Sequence, residues 1–74
     1  MDNKERMIAR LLTGANSSSP DVKATSLMAI GESGLIDDGR LVDTLEDASK
    51  SSSPQIKKAA ITAIGSMLKN SNRQ

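Results

Sequence analysis

The chain has 74 residues, enough for one small domain, and it contains no cysteine, no histidine and no aromatic residue. Those absences exclude a thiolate nucleophile, an imidazole base, a Cys/His zinc or haem ligand set, a disulfide framework and an aromatic platform for nucleic-acid bases. The net charge of +1 hides an asymmetry: residues 1–49 carry five basic and nine acidic side chains, whereas residues 50–74 carry five basic ones and no acid.

The opening Met1–Arg6 mixes both charge signs and leads into no long apolar run, so it does not read as a secretory signal. No stretch approaches the ~18 apolar residues of a spanning helix. A soluble, cytoplasmic protein is the expectation, and the lack of cysteine fits a reducing compartment.

In chain order, Met7, Ile8, Leu11 and Leu12 recur at helical spacing and predict a first helix over about 3–13, closed by Gly14 and a serine-rich run. Ser19-Pro20 starts a second helix over about 20–33. The serine hydroxyl can accept from a first-turn amide, and proline at the first helical position has no amide to leave unpaired. Val22, Ser26, Ala29 and Ile30 form its apolar stripe, and Gly34 ends it. Asp37 or Asp38 caps a third helix over about 38–49, with Leu41, Val42 and Leu45 inward. Ser53-Pro54 starts a fourth over about 54–70, with Ile56, Ala60, Ala63, Ile64 and Met67 on one face. Residues 71–74 are expected to be a disordered tail.

The four helices are one unit written twice. Ser17-Ser18-Ser19-Pro20 recurs as Ser51-Ser52-Ser53-Pro54, an offset of 34 residues. At that offset ten of the 29 pairs from residue 6 to residue 34 are identical, including Arg6 with Arg40, Lys23 with Lys57 and Ala29-Ile30-Gly31 with Ala63-Ile64-Gly65. A period in this range is the mark of a repeat architecture. The repeats run over about 4–34 and 38–70 within a single domain. Gly31 and Gly65 fall inside helices, where glycine costs ~1 kcal/mol against alanine. Their recurrence points to close approach of a neighbouring helix at both.

The string Ser-Pro-x-Val/Ile-Lys, followed by Ala-Ile-Gly, resembles the second helix of a HEAT repeat, and more narrowly the short HEAT-like units of phycobilisome (bilin) lyases. The resemblance covers residues 4–70. It implies an all-α fold, two helix-hairpin repeats stacked as a short alpha-solenoid, and the role of a binding scaffold. The chain departs from the family in having Ser17 and Ser51 where an aspartate is frequent and Lys23 and Lys57 where arginine is usual. It is also much shorter than the lyases.

A solenoid repeat buries one face against its neighbour, and about three repeats are usually needed for stability. Here neither end has a polar cap. Leu27 would be covered by the second repeat, whereas Ile61, its counterpart, and Leu68, seven residues further along the same helix, would be left half exposed, as would Met7 and Leu11 at the other end. The expected function is a non-catalytic adaptor or structural subunit. Ile61 and Leu68 supply apolar burial, and Lys57, Lys58 and Lys69 form an electrostatic rim. The partner is a protein with an acidic and apolar surface, or a second copy bound head to tail. The runner-up is weak nucleic-acid binding through the basic quarter, which includes Lys50 and Arg73.

No cofactor, metal or catalytic residue is expected. Ser66-Met67-Leu68-Lys69 has the Ser-x-x-Lys spacing of some acyl enzymes but none of their companion motifs. Asp37-Asp38-Gly39 lacks the downstream ligands of a calcium loop. Asp43, Glu46 and Asp47 read as a solvated acidic flank. Ser19 and Ser53, each before proline, read as helix caps rather than modification sites. The fourth helix lacks the large aromatics that anchor a helix at a membrane surface.

Overall fold

A computed structural model describes residues 2–72. Four helices follow in chain order: α1 Asn3–Ala15, α2 Pro20–Ser33, α3 Gly39–Ser49 and α4 Pro54–Ser71. Each starts on a side chain that accepts a hydrogen bond from a first-turn amide. Asp2 accepts from the Glu5 amide at 2.7 Å, Ser19 from Val22 at 3.4 Å, Asp38 from Arg40 at 3.0 Å and Ser53 from Ile56 at 3.5 Å. The serine runs do more than cap. Ser17 Oγ accepts from the Ser19 amide and Ser51 Oγ from the Ser53 amide, both at 3.0 Å, so the same turn is built twice.

Three local expectations are corrected. Gly14 does not stop α1 but lies within it, facing the Ser26 side chain of α2 that a Cβ there would meet, and the helix runs to Ala15 with Asn16 as its cap. Ser71, expected in the tail, is the last residue of α4 and Asn72 its cap; Arg73 and Gln74 lie outside the described residues. Of the expected stripe Val22–Ser26–Ala29–Ile30, only Ile30 is fully buried and Ser26 half-buried: Val22 is 48% exposed and Ala29 is exposed, and α2 faces the core through Ile30 together with Leu27 and Gly31. The equivalent stripe on α4, Ile56–Ala60–Ala63, is buried. The reason is position in the stack. α4 has a repeat before it to pack on, and α2 has none among the described residues.

The two hairpins stack with α2 against α4, the most extensive helix pair in the molecule and larger than either hairpin's own α1–α2 or α3–α4 contact. The core along this seam is wholly apolar and contains no aromatic ring. Leu27, Ile30, Leu41 and Leu45 are its largest fully buried side chains, and no buried polar or charged side chain occurs among the described residues. At the seam the backbones nearly touch. A Cβ on Gly31 would lie 2.6 Å from Ala63 Cα and closer still to the Ala63 carbonyl oxygen. That is the close approach expected for Gly31. The same expectation fails for Gly65, whose Cβ would meet nothing within 4 Å.

Gly34, at φ 65°, ends α2 in the left-handed conformation that favours glycine. Asn70 of α4 covers this end and donates to the Glu32 carbonyl at 3.2 Å. Gly31→Ala should lower the unfolding free energy by about 1–3 kcal/mol, because overpacking at a backbone contact outweighs alanine's better helix propensity. Urea denaturation followed by far-ultraviolet circular dichroism measures it, and an unchanged midpoint would show that the seam is looser than described.

Candidate functional site

The five residues expected to bind a partner all sit on α4. At about 100° per residue, Lys57, Lys58, Ile61, Leu68 and Lys69 fall within an arc of about 120°. All five are exposed, Ile61 at 54% and Leu68 at 56%. The helix brings the two apolar side chains onto one stripe two turns apart, with the exposed Gly65 between them. It does not gather the lysines. Lys57 and Lys58 lie at the N-terminal end and Lys69 in the last turn, roughly 18 Å away along the axis. Lys69 is also the one basic residue in the last turn of α4, where it complements the helix dipole.

Beside this stripe, α3 and α4 leave an open apolar groove of about 310 Å³, lined mainly by Val42, Leu45, Ile64, Met67 and Leu68, with Glu46 and Ser49 along the α3 side. The groove was not anticipated from the sequence. The repeat alignment holds the signal for it, since Val42 and Ile64 are the counterparts of Ile8 and Ile30, which are buried in the first repeat.

Arg40 gathers two of the nine acidic side chains. Its guanidinium takes both oxygens of Glu5 at 3.0 Å each and the Asp38 carboxylate at 2.6 and 3.0 Å, joining α1 to the start of α3. The hydrogen bond from Arg40 holds the Asp38 carboxyl below its ordinary pKa, and Asp38 and Glu5 raise that of the guanidinium. Arg40 is exposed and Glu5 and Asp38 are half-buried, and the cluster ties the hairpins at their ends. Asp38 is also the cap of α3. Among the described residues no group of three or more acidic side chains is placed to hold a metal ion. Ser66 and Lys69 lie in the last turns of α4, Ser66 half-buried and Lys69 exposed, with no buried polar group beside them. Asp43, Glu46 and Asp47 are exposed on α3. Among the described residues no helix is long and apolar enough to cross a membrane.

Two stacked helical hairpins related by a 34-residue repeat, with a closed apolar seam between them, define a helical-repeat protein. The family model for HEAT repeats matches residues 8–74, and the chain belongs to that family. No curated protein and no solved structure matches it. HEAT repeats in general mediate protein–protein contacts and are non-catalytic scaffolds.

Because the folded pKa of Asp38 is depressed, its ionised form stabilises the fold above the ordinary carboxylate range, and that contribution is lost as pH falls through the lowered value. Arg40→Gln should return the Asp38 pKa towards its ordinary value and shrink the acid dependence of stability. Carbon-detected NMR titration of the Asp38 carboxyl checks this, and an unmoved titration would show that the ion pair is not formed in solution.

Proposed function

We infer that the protein is a non-catalytic interaction module, a small adaptor or structural subunit that docks a protein partner on the outer face of α4. Isolated exposed leucines and isoleucines are ordinary. The observation that carries the reading is that Ile61, 54% exposed, is the repeat counterpart of Leu27, which the next repeat covers completely. Among the described residues the stripe is therefore a stacking surface with no neighbour on it. Fully burying one such side chain is worth about 1.5–3 kcal/mol, whereas an exposed ion pair contributes about 0–1 kcal/mol. Affinity thus rests on Ile61 and Leu68. Lys57, Lys58 and Lys69 steer an acidic surface towards them and set the on-rate. The Ser-Pro starts and the Ala-Ile-Gly strings support short repeats of the phycobilisome-lyase type, without the length of the lyases themselves. A cytoplasmic setting belongs to the same reading, in keeping with the cysteine-free composition.

Placing a benzophenone-bearing amino acid at Ile61 or Leu68, with a control at Met28 on α2, tests the reading in the cells that make the protein. Polypeptide adducts are expected from positions 61 and 68 and not from 28. Ile61→Ala with Leu68→Ala should weaken the captured contact by tenfold or more, roughly the loss of half-buried apolar area. Adducts to nucleic acid alone, lost on Lys57→Glu with Lys58→Glu and in high salt, would instead assign the basic quarter to phosphate binding.

A further inference from the structure

The two end faces of the molecule are the two halves of an interface that the chain already contains once. At the internal seam the first repeat presents Leu27 and Gly31, and the second presents Leu41, Ile56 and Ala63, all buried. Counted forward by 34, the first set becomes Ile61, 54% exposed, and the exposed Gly65. Counted back by 34, the second set becomes Met7, 57% exposed against 0% for Leu41, then Val22, 48% against 5% for Ile56, and the exposed Ala29. One end carries the donor face of the seam and the other its acceptor face. Gly65 makes the point independently. Glycine weakens a helix interior, and here it has open space around it, so nothing within the described chain uses the missing Cβ.

We propose that a second copy of this chain docks head to tail, with α4 of one molecule lying on α2 of the next in the register that α4 holds on α2 within the chain. This rests on reading the outer face of α4 as a docking surface and names its occupant. In that register Gly65 meets Ala29 of the next copy as Gly31 meets Ala63, and Ile61 packs on Val22. Met7 takes the place of Leu41 and enters the open groove beside Val42 and Ile64. Gln55 donates to Asp21 at 3.1 Å within the chain, and the shifted register sets the same two residues opposite each other between copies, so the pair continues as a ladder.

Net charge is balanced on the approaching face, since the first repeat, residues 1–34, carries four basic and four acidic side chains, so the contact rests on the apolar and glycine register. Leu35 and Ser71 line one cavity in the molecule, and their shifted equivalents are Lys69 and Asp37 of the next copy. Lys23 and Thr44 likewise share a cavity, which puts Lys57 beside Arg10. With a second copy as the occupant that pair opposes the contact, so steering falls to Lys69 opposite Asp37 and not to Lys57, and Lys57→Glu strengthens it. The interface is heterologous, so it leaves both outer faces free and extends rather than closing at two copies unless rotation forms a ring.

Sedimentation velocity from micromolar to millimolar concentration, read by interference because the chain has no aromatic residue, tests the proposal. The full chain grows beyond a dimer with concentration. Ile61→Asp and Val22→Asp each remain monomeric alone, and an equimolar mixture forms a dimer and stops there, because each chain retains one working face. Gly65→Ala raises the melting temperature by several degrees and weakens association by about tenfold or more, two readouts that a role in the monomer alone could not separate. A monomer at every concentration overturns the proposal, as does self-association of Val22→Asp equal to that of the full chain, which marks an isologous α4–α4 contact. Foreign polypeptides at the position-61 crosslinker, with a monomeric chain, would remove the second copy and leave the docking face intact. No polypeptide adduct there would remove both.

Discussion

Everything in this molecule depends on two backbones coming closer than side chains would allow. Where Gly31 faces Ala63, α2 and α4 meet at a distance set by the absence of one Cβ. The larger side chains Leu27, Ile30, Leu41 and Leu45 then close around that point of contact. A domain of this size, with no aromatic side chain in its core, has little apolar area to bury, typically worth no more than about 3–5 kcal/mol in net stability. Drawing the central helices together raises the packing density of what it has. The helix-propensity penalty of glycine is small beside the dispersion contacts that would be lost if the helices stood further apart.

The order of importance that follows is unusual for hairpins. Contact between repeats exceeds contact within them, so the seam, and not the hairpin, is the cooperative element. The Arg40 cluster joins the same two repeats at their exposed ends, with much less energy, and works as a geometric tie. The proposed function follows from the same logic. A surface made to be covered by an identical neighbour is complementary to that neighbour before any partner has been selected for it, so a stacking face at the end of an array is a binding face by construction.

Most of the architecture was legible in the sequence, since the signals are local. The Ser-Pro pairs, the Asp38 cap and the three- and four-residue apolar spacing place all four helices to within about two residues. The repeat also told that Gly31 packs closely. What could not be read is whatever depends on where a repeat sits. Val22–Ser26–Ala29 and Ile56–Ala60–Ala63 are the same stripe, and only the second is buried, because burial is decided by the presence of a preceding repeat and not by the stripe's own composition. Gly31 and Gly65 divide in the same way. Arg40 and Glu5 are 35 residues apart with no pattern linking them, and the groove between α3 and α4 appears only once the hairpins are assembled. The α4 stripe was legible because duplication supplied a buried counterpart for comparison.

The two second helices differ at their ends. Gly34 turns the chain after fourteen residues of α2, while Leu68, the equivalent residue, lets α4 run on to eighteen. The extra turn carries Asn70 back over Gly34 and onto the Glu32 carbonyl, one of the groups that a helix terminus leaves without an intrahelical partner. The first hairpin is thus finished by residues from the end of the second. The repeats are alike in sequence and unequal in architecture: one is the substrate of the cap and the other provides it, so the chain has a direction that exchanging its halves would not preserve.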